Sequence, residues 1–209
     1  MQLVYPEGDL SWKFRDGLNW DKEQFETAKN KIKNFRTCLD LGGHIGITSI
    51  RFAKIFEHVY AFEPIHAKYF RQNTSNIDNI TLYEHAVSDH EGTVDMFINT
   101  NNSGGCTVVH EGVVDYLYRK NLVVESTPYP CKPIDHYSFK DVDFIKIDVE
   151  GYNIPVLNGM KKLLENNDPV MHIELANDPG YNQRFFDLMK SLGYSEFAAI
   201  GHDKFYERV

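Results

Sequence analysis

The stretch CLDLGGHIGITS, residues 38–49, decides the fold. An apolar run ends at Asp40, the chain turns through Gly42 and Gly43, passes His44 and Ile45, and meets Gly46. Ile45, Ser49, Phe52, Ala53 and Phe56 then recur at spacings of three and four, which predicts a helix directly after the turn. Strand, glycine turn and helix together are how an α/β sheet offers backbone N–H groups to a ligand at the carboxyl edge of its strands. The glycines suit a tight turn and close approach of a ligand to the backbone. The dinucleotide pattern G-x-G-x-x-G, begun at Gly42, would need glycine where the chain has His44 and Ile47. The stretch reads D-x-G-x-x-x-G instead.

Outward from this turn, HVYAFEP (58–64) is a second apolar run that ends in Glu63, 17 residues past Gly46. An acid at the tip of the second strand of such a sheet is placed to hydrogen-bond ribose hydroxyls. Further on, DFIKIDVEG (143–151) leads through a helical stretch to PVMHIEL (169–175). The D-x-G-x-x-x-G turn resembles the first motif of class I methyltransferases, and the whole set resembles the FkbM family of methyltransferases. The Ile-Lys-Ile-Asp-Val-Glu-Gly string is the most specific part, and the resemblance runs from about Asp40 to Glu174. It departs from the family pattern at His44, where asparagine is usual, and at Asn153, where glutamate is usual.

The resemblance implies an α/β, Rossmann-like class I methyltransferase sandwich. Its sheet would have seven strands, mostly parallel with one antiparallel, plus an extra β insertion. S-adenosylmethionine is the implied cofactor and S-adenosylhomocysteine the product. Gly42, Gly43, His44 and Gly46 would lie against its methionine part, with Asp40 orienting the loop or the amino group. Glu63 would hold the ribose, and the segment His85, Ala86 and Val87 would cover the adenine. For His85 a plain surface position stands as an equal reading. Lys146, Asp148, Glu150 and Glu174 are the candidate catalytic residues. No residue is assigned to a metal; a divalent ion held by these carboxylates is the less favoured alternative to a metal-free site.

The residues themselves support that choice. Phe144, Lys146, Asp148 and Glu150 share one parity of a strand, and Ile145, Ile147 and Val149 the other. A central parallel strand is apolar on both faces, so Lys146 is costly there unless paired. Asp148 and Glu150 are its natural partners. A structural ion pair and an active-site array are both open readings. His172, two residues before Glu174, is the nearest thing to a His–carboxylate metal pattern.

The remaining elements follow in order. Residues 1–36 form an N-terminal lid or helical extension, and 37–209 the methyltransferase domain, one domain in all. Tyr5, Trp12, Phe14 and Trp20 with Pro6, Gly8 and Gly17 read as short extended or loop structure packed on the domain. Residues 21–34 read as a helix capped by Asp21, with Phe25, Ala28 and Ile32 on one face. Residues 65–76 are helical and ITLYEHAVS (80–88) is a strand. TVDMFIN and LVVESTPYPC (122–131) are extended insertions flanking the turn-rich NTNNSGG (99–105). Ser103 and Gly104 read as a hairpin tip, with lining of the site as the alternative. Asp135 is placed to cap a short helix. NIPVLNGMKKLLEN (153–166) reads as one helix, YNQRFFDLMKSLG (181–193) as another, and YSEFAAI with DKFYERV as a closing hairpin.

Composition bounds the rest. The chain has 209 residues, 42% hydrophobic and 25% charged, with a net charge of −8. That suits one domain with a sizeable core and argues against a nucleic-acid partner. Cys38, Cys106 and Cys131 are far apart and odd in number, which disfavours a disulfide framework or a thiolate zinc site. The start MQLVYPEGDL has no basic or apolar leader pattern, and no run approaches a membrane span, so a cytoplasmic protein is expected. The expected function is O-methylation of a small-molecule acceptor, a sugar or similar polar metabolite, with the oligomeric state open. The alternatives are a nicotinamide-dependent oxidoreductase, disfavoured by the missing G-x-G-x-x-G and any Tyr-x-x-x-Lys, and a non-catalytic binding module with the same fold.

Overall fold

The computed structural model describes residues 3–9, 19–110 and 126–209. Trp12, Phe14 and Gly17 of the N-terminal segment, and residues 122–125 of the second extended insertion, lie outside the described residues. A helix α1 (Lys22–Lys29) precedes the first βα unit, β1 (Thr37–Leu41) and α2 (Ile47–Phe52). Then come β2 (His58–Phe62), α3 (Ala67–Thr74) and β3 (Ile80–Tyr83). Four short strands follow: β4 (Ala86–Val87), β5 (Gly92–Phe97), β6 (Thr107–Val108) and β7 (Ser126–Lys132). The chain returns through β8 (Val142–Ile147), α4 (Asn153–Asn158), α5 (Lys161–Asn166), β9 (Val170–Glu174) and α6 (Pro179–Ser191) to the hairpin β10 (Tyr194–Ile200) and β11 (Asp203–Arg208).

The main sheet has seven strands in the order β10-β11-β9-β8-β1-β2-β3. All neighbours are parallel except β11, which runs against both β9 and β10. The two faces follow strand parity. Leu39, Leu41, Ile145, Ile147, Met171 and Ile173 pack with Val156, Leu157, Phe185 and Met189 on one side. Cys38, Phe144, Val170 and Phe205 pack with Phe25, Phe52 and Phe56 on the other. The insertion is a second sheet, β4-β7-β5-β6, with a small core of its own from Ala86, Val94, Met96, Val108 and Cys131. Pro128 and Pro130 sit in β7 where β5 is its neighbour; β4 pairs only with Cys131 and Lys132, so the missing N–H groups face an open edge.

Four expectations need correction. The run 80–88 is not one strand: β3 joins the main sheet and β4 the second. The corner between them carries Glu84, ion-paired with Arg71, and His85. The run 153–166 is two helices, broken at Gly159 and Met160; Gly159 lies against the Ser88 carbonyl, where a Cβ would be 2.0 Å from the oxygen. Asp135 then caps the second helix through space, accepting from the Lys162 and Leu163 N–H groups at 3.0 and 2.9 Å. Helix α1 stops at Lys29 rather than residue 34, and Asp21 does not cap it: its backbone is left-handed (φ 56°) and its side chain accepts no bond from the helix start. Finally, the glycine turn keeps its N–H groups to itself, as described below.

Candidate functional site

The carboxyl ends of β1, β2, β8 and β9 open into one cavity of about 300 Å³, walled on its far side by the second sheet. Toward β2 its lining includes Phe62, Glu63, Ile65, His66, His85, Ala86, Val87, Met96, Ser103 and Cys106. Toward β8 and β9 it includes Trp20, Asp21, Thr48, Lys146, Asp148, Glu150, Tyr152 and Glu174. The glycine corner, with Gly42, Gly43 and His44, lies between.

That corner is a rigid joint. The Gly42 and Gly43 N–H groups both donate to the Phe62 carbonyl at 3.0 and 3.1 Å, and the Gly46 N–H to the Gly43 carbonyl at 2.8 Å. The His44 N–H donates to Glu63 Oε2 at 2.9 Å. These donors therefore serve the turn and not a ligand. Gly42 has φ 88°, and a Cβ there would be 1.8 Å from the Asp148 carbonyl oxygen. Glycine at 42 is needed to let β8's end pack against the turn. Asp40 stands behind it, wholly buried, accepting from the Thr48 and Ser49 hydroxyls at 2.8 and 2.5 Å. It braces the start of α2 and does not line the cavity.

Glu63 accepts from three amides: His44 on one oxygen, Ile65 and His66 at 2.7 Å on the other. Burial raises its pKa to about 7 against those backbone donors. It remains a cavity wall, with lone-pair capacity beyond these bonds.

On the β8 side, register places Asp40, Lys146 and His172 side by side across three central strands. His172 pairs with Asp203 at 2.6 Å, away from the cavity. Lys146 Nζ, buried, donates to Asp148 Oδ2 at 2.7 Å and lies 3.9 Å from Asp21 Oδ2. Burial pulls Lys146 toward neutrality, but Asp148, Asp21 and Asp40 outweigh it and hold it charged. Burial likewise works against ionised Asp148, and Lys146 overcomes it, keeping Asp148 below the ordinary carboxylate range. Glu174 moves the other way: the Asp148 charge first, then burial, push it up, and the two carboxyls share a hydrogen bond. Like charges in contact are separated into one ionised and one protonated group. Glu150 follows on a left-handed turn (φ 51°), and one oxygen from each of Asp148, Glu150 and Glu174 lies within 4.8 Å of the others. Three such oxygens could hold a hard divalent cation.

The insertion docks on the corner through Ser103. Its hydroxyl meets His44 Nε2 at 2.7 Å and donates to Asp9, its N–H reaches Asp9 Oδ2 at 3.3 Å, and its carbonyl meets His66 Nε2 at 3.0 Å. Ser103 is thus part of the site wall rather than a free hairpin tip.

The structure brings Gly42, Gly43, His44, Glu63, His85, Ala86, Val87, Lys146, Asp148, Glu150 and Glu174 to the cavity; Asp40 and Gly46 stand behind it. His85 is not a plain surface residue: its ring stacks on Tyr137 and bonds its hydroxyl at 2.5 Å. Sequence reasoning missed Asp21, Thr48, His66, Cys106 and Tyr152 as lining residues. Tyr152, next to the signature string, carried the clearest signal.

The family model for the methyltransferase FkbM domain matches residues 40–196, most of the chain. No curated protein matches significantly. The methyltransferase FkbM from Methylobacillus flagellatus KT superposes with a TM-score of 0.54 at 18% identity, over 85% of this chain and 45% of that one. This chain thus spans less than half the length of that relative. A candidate RNA methyltransferase from Pyrococcus horikoshii gives 0.54 at 9% identity, over 100% and 94% of the two chains. A candidate methyltransferase from Streptococcus mutans, solved with S-adenosylhomocysteine, gives 0.52 at 11%, over 90% and 97%. At these identities the likeness is one of fold. No helix among the described residues is long and apolar enough to cross a membrane.

Proposed function

Since the chain belongs to the methyltransferase FkbM family, we propose that it methylates a hydroxyl oxygen of a sugar or similar polar metabolite, using S-adenosylmethionine. The cavity's donor set fits that cofactor: apolar walls from Phe62, Ile65, Val87 and Met96 for a purine, Glu63 for ribose hydroxyls, and carboxylates for cationic groups. The cofactor supplies an electrophilic methyl group on sulfur. The observation that carries the reading is the Lys146–Asp148–Glu174 cluster, opening into the same cavity as Glu63.

An alcohol is a weak nucleophile, so a base at its proton helps. Asp148, held ionised by Lys146, would take that proton while the bound cofactor supplied the methyl group to the oxygen. Glu174, protonated, donates a hydrogen bond toward Asp148 or the acceptor. Lys146 fixes the Asp148 carboxylate and keeps it anionic. Much of the remaining acceleration is in-line positioning and exclusion of water by the Ser103 wall. The acidic cavity and the net charge of −8 fit a neutral small acceptor better than a nucleic acid. A second reading has a divalent cation on Asp148, Glu150 and Glu174 polarising the hydroxyl, favoured by their 4.8 Å grouping.

Calorimetry with S-adenosylmethionine, S-adenosylhomocysteine and NAD, followed by turnover against a panel of sugars and sugar nucleotides, tests the proposal. Binding of the first two and not NAD is expected, with methyl incorporation into a hydroxyl. NAD binding alone would turn the reading toward a dehydrogenase. Cofactor binding with no turnover on any acceptor would turn it toward a non-catalytic module.

A further inference from the structure

Asp21 stands where a helix cap belongs and does not act as one. A side chain at this position normally accepts from the N–H groups of the first turn. Here only the Asp21 backbone carbonyl serves the helix, taking the Phe25 N–H at 3.1 Å. The backbone adopts φ 56°, a conformation uncommon outside glycine though tolerated by aspartate. Arg51 on α2 donates to the neighbouring Trp20 carbonyl and pins the corner. The result turns the Asp21 carboxylate inward: its side chain is 13% exposed, lines the cavity, and faces Lys146 at 3.9 Å. Its oxygens accept no hydrogen bond among the described residues.

Resting on the reading of the cavity as an S-adenosylmethionine site, we infer that Asp21 binds the α-ammonium group of the cofactor's amino-acid end. If Glu63 holds the ribose at the β2 tip, the amino-acid end reaches past the glycine corner to the side lined by Trp20, Asp21 and Thr48. An ammonium group there needs an anionic acceptor. Asp148 is engaged by Lys146 at 2.7 Å and shares a hydrogen bond with Glu174. Asp21 has its acceptor capacity open; burial raises its pKa from the ordinary value, and Lys146 at 3.9 Å works against that rise. The cap bond is given up for a carboxylate in the binding cavity, which is a pattern of strain and forgone stability found at functional sites.

The test uses two probes that differ only in that group: S-adenosylhomocysteine and its deamino analogue, which keeps the adenosine, sulfur and carboxylate. Wild-type protein should bind S-adenosylhomocysteine about 10- to 100-fold more tightly than the analogue, the range for a charge-assisted contact. The Asp21→Asn protein should lose that preference, with analogue affinity unchanged within about twofold, and the Asp21→Glu protein should regain part of it. Equal affinity of wild-type protein for the two probes would overturn the assignment without any variant. So would a preference that survives Asp21→Asn in a folded protein, or an equal loss for both probes. Wild-type protein that binds neither probe would remove the cofactor reading itself, and the Asp21 assignment with it.

Discussion

Replacing Asp148 by asparagine separates a catalytic cluster from a structural ion pair. Breaking a buried pair by removing one partner costs about 3–5 kcal/mol when the other charge is left alone. Lys146 is not left alone here. At an effective dielectric constant of about 20, unit charges 2.7 Å apart interact by roughly 6 kcal/mol, and at 3.9 Å by roughly 4. Asp21 therefore keeps about two-fifths of the compensation, and an asparagine oxygen can still accept from Nζ. Removing the Asp148 charge also relieves Glu174. We expect Asp148→Asn to cost about 2 kcal/mol of stability, read by urea unfolding, with S-adenosylhomocysteine affinity nearly unchanged. Methyl transfer should fall about 10²–10⁴-fold, the usual share of a general base. Asp148 is depressed in the fold, so its stabilisation is present above the ordinary carboxylate pKa of about 4 and lost as pH falls through its lower folded value. That part of the acid unfolding limb should shrink in the variant. Full turnover in the folded Asp148→Asn protein, or activity lost only in proportion to the unfolded fraction, would refute the base assignment.

Glu63→Ala should weaken S-adenosylhomocysteine binding about 10- to 100-fold by calorimetry, the cost of a hydrogen bond to a charged group. Because Glu63 is raised to about 7, it favours the fold below about 4.5, and that contribution, on the order of 3 kcal/mol, is lost as pH rises through about 7. Melting temperature should fall over this window more steeply in wild-type protein than in the variant, and an identical slope would remove the buried-acid account. Excess chelator should leave turnover intact if the carboxylates act alone; activity abolished by chelator and restored by magnesium or manganese would make Asp148, Glu150 and Glu174 ligands. Gly42→Ala should cost more than about 3 kcal/mol, since a methyl group there would sit 1.8 Å from the Asp148 carbonyl oxygen at φ 88°. A variant with wild-type stability would contradict that packing.

The strands and their acid tips were legible because a sheet writes its period and its ends locally. Residues 38–49, Glu63 and the 145–151 string each announce a strand and what stands at its carboxyl end. What was not legible depends on contacts far apart in the chain. Gly159 reads as a glycine tolerated inside a helix until the Ser88 carbonyl is found against it. Ser103 reads as a turn residue, and its docking is decided by Asp9, His44 and His66. Asp21 holds the same place in sequence whether it caps α1 or faces Lys146; only the packing of α1 on the sheet distinguishes the two. The glycine turn misled in a different way, since its composition fits free N–H donors while the Phe62 carbonyl and Glu63 take them up.

The two departures from the family pattern can be judged on the same terms. Asparagine is favoured where φ is positive, and His44 occupies that conformation at φ 50°. Histidine keeps the turn and adds a ring that reaches Ser103, so the substitution tightens the wall between corner and insertion. Asn153 is wholly buried, and its Nδ2 donates to the Glu174 carbonyl at 2.9 Å. An ionised glutamate there could not make that bond and would bring another negative charge toward a cluster in which Asp148 already forces Glu174 to hold a proton. The amide steadies the backbone of Glu174 without adding to that repulsion. His44 thus acts on the wall toward the insertion, and Asn153 on the backbone under the acid cluster.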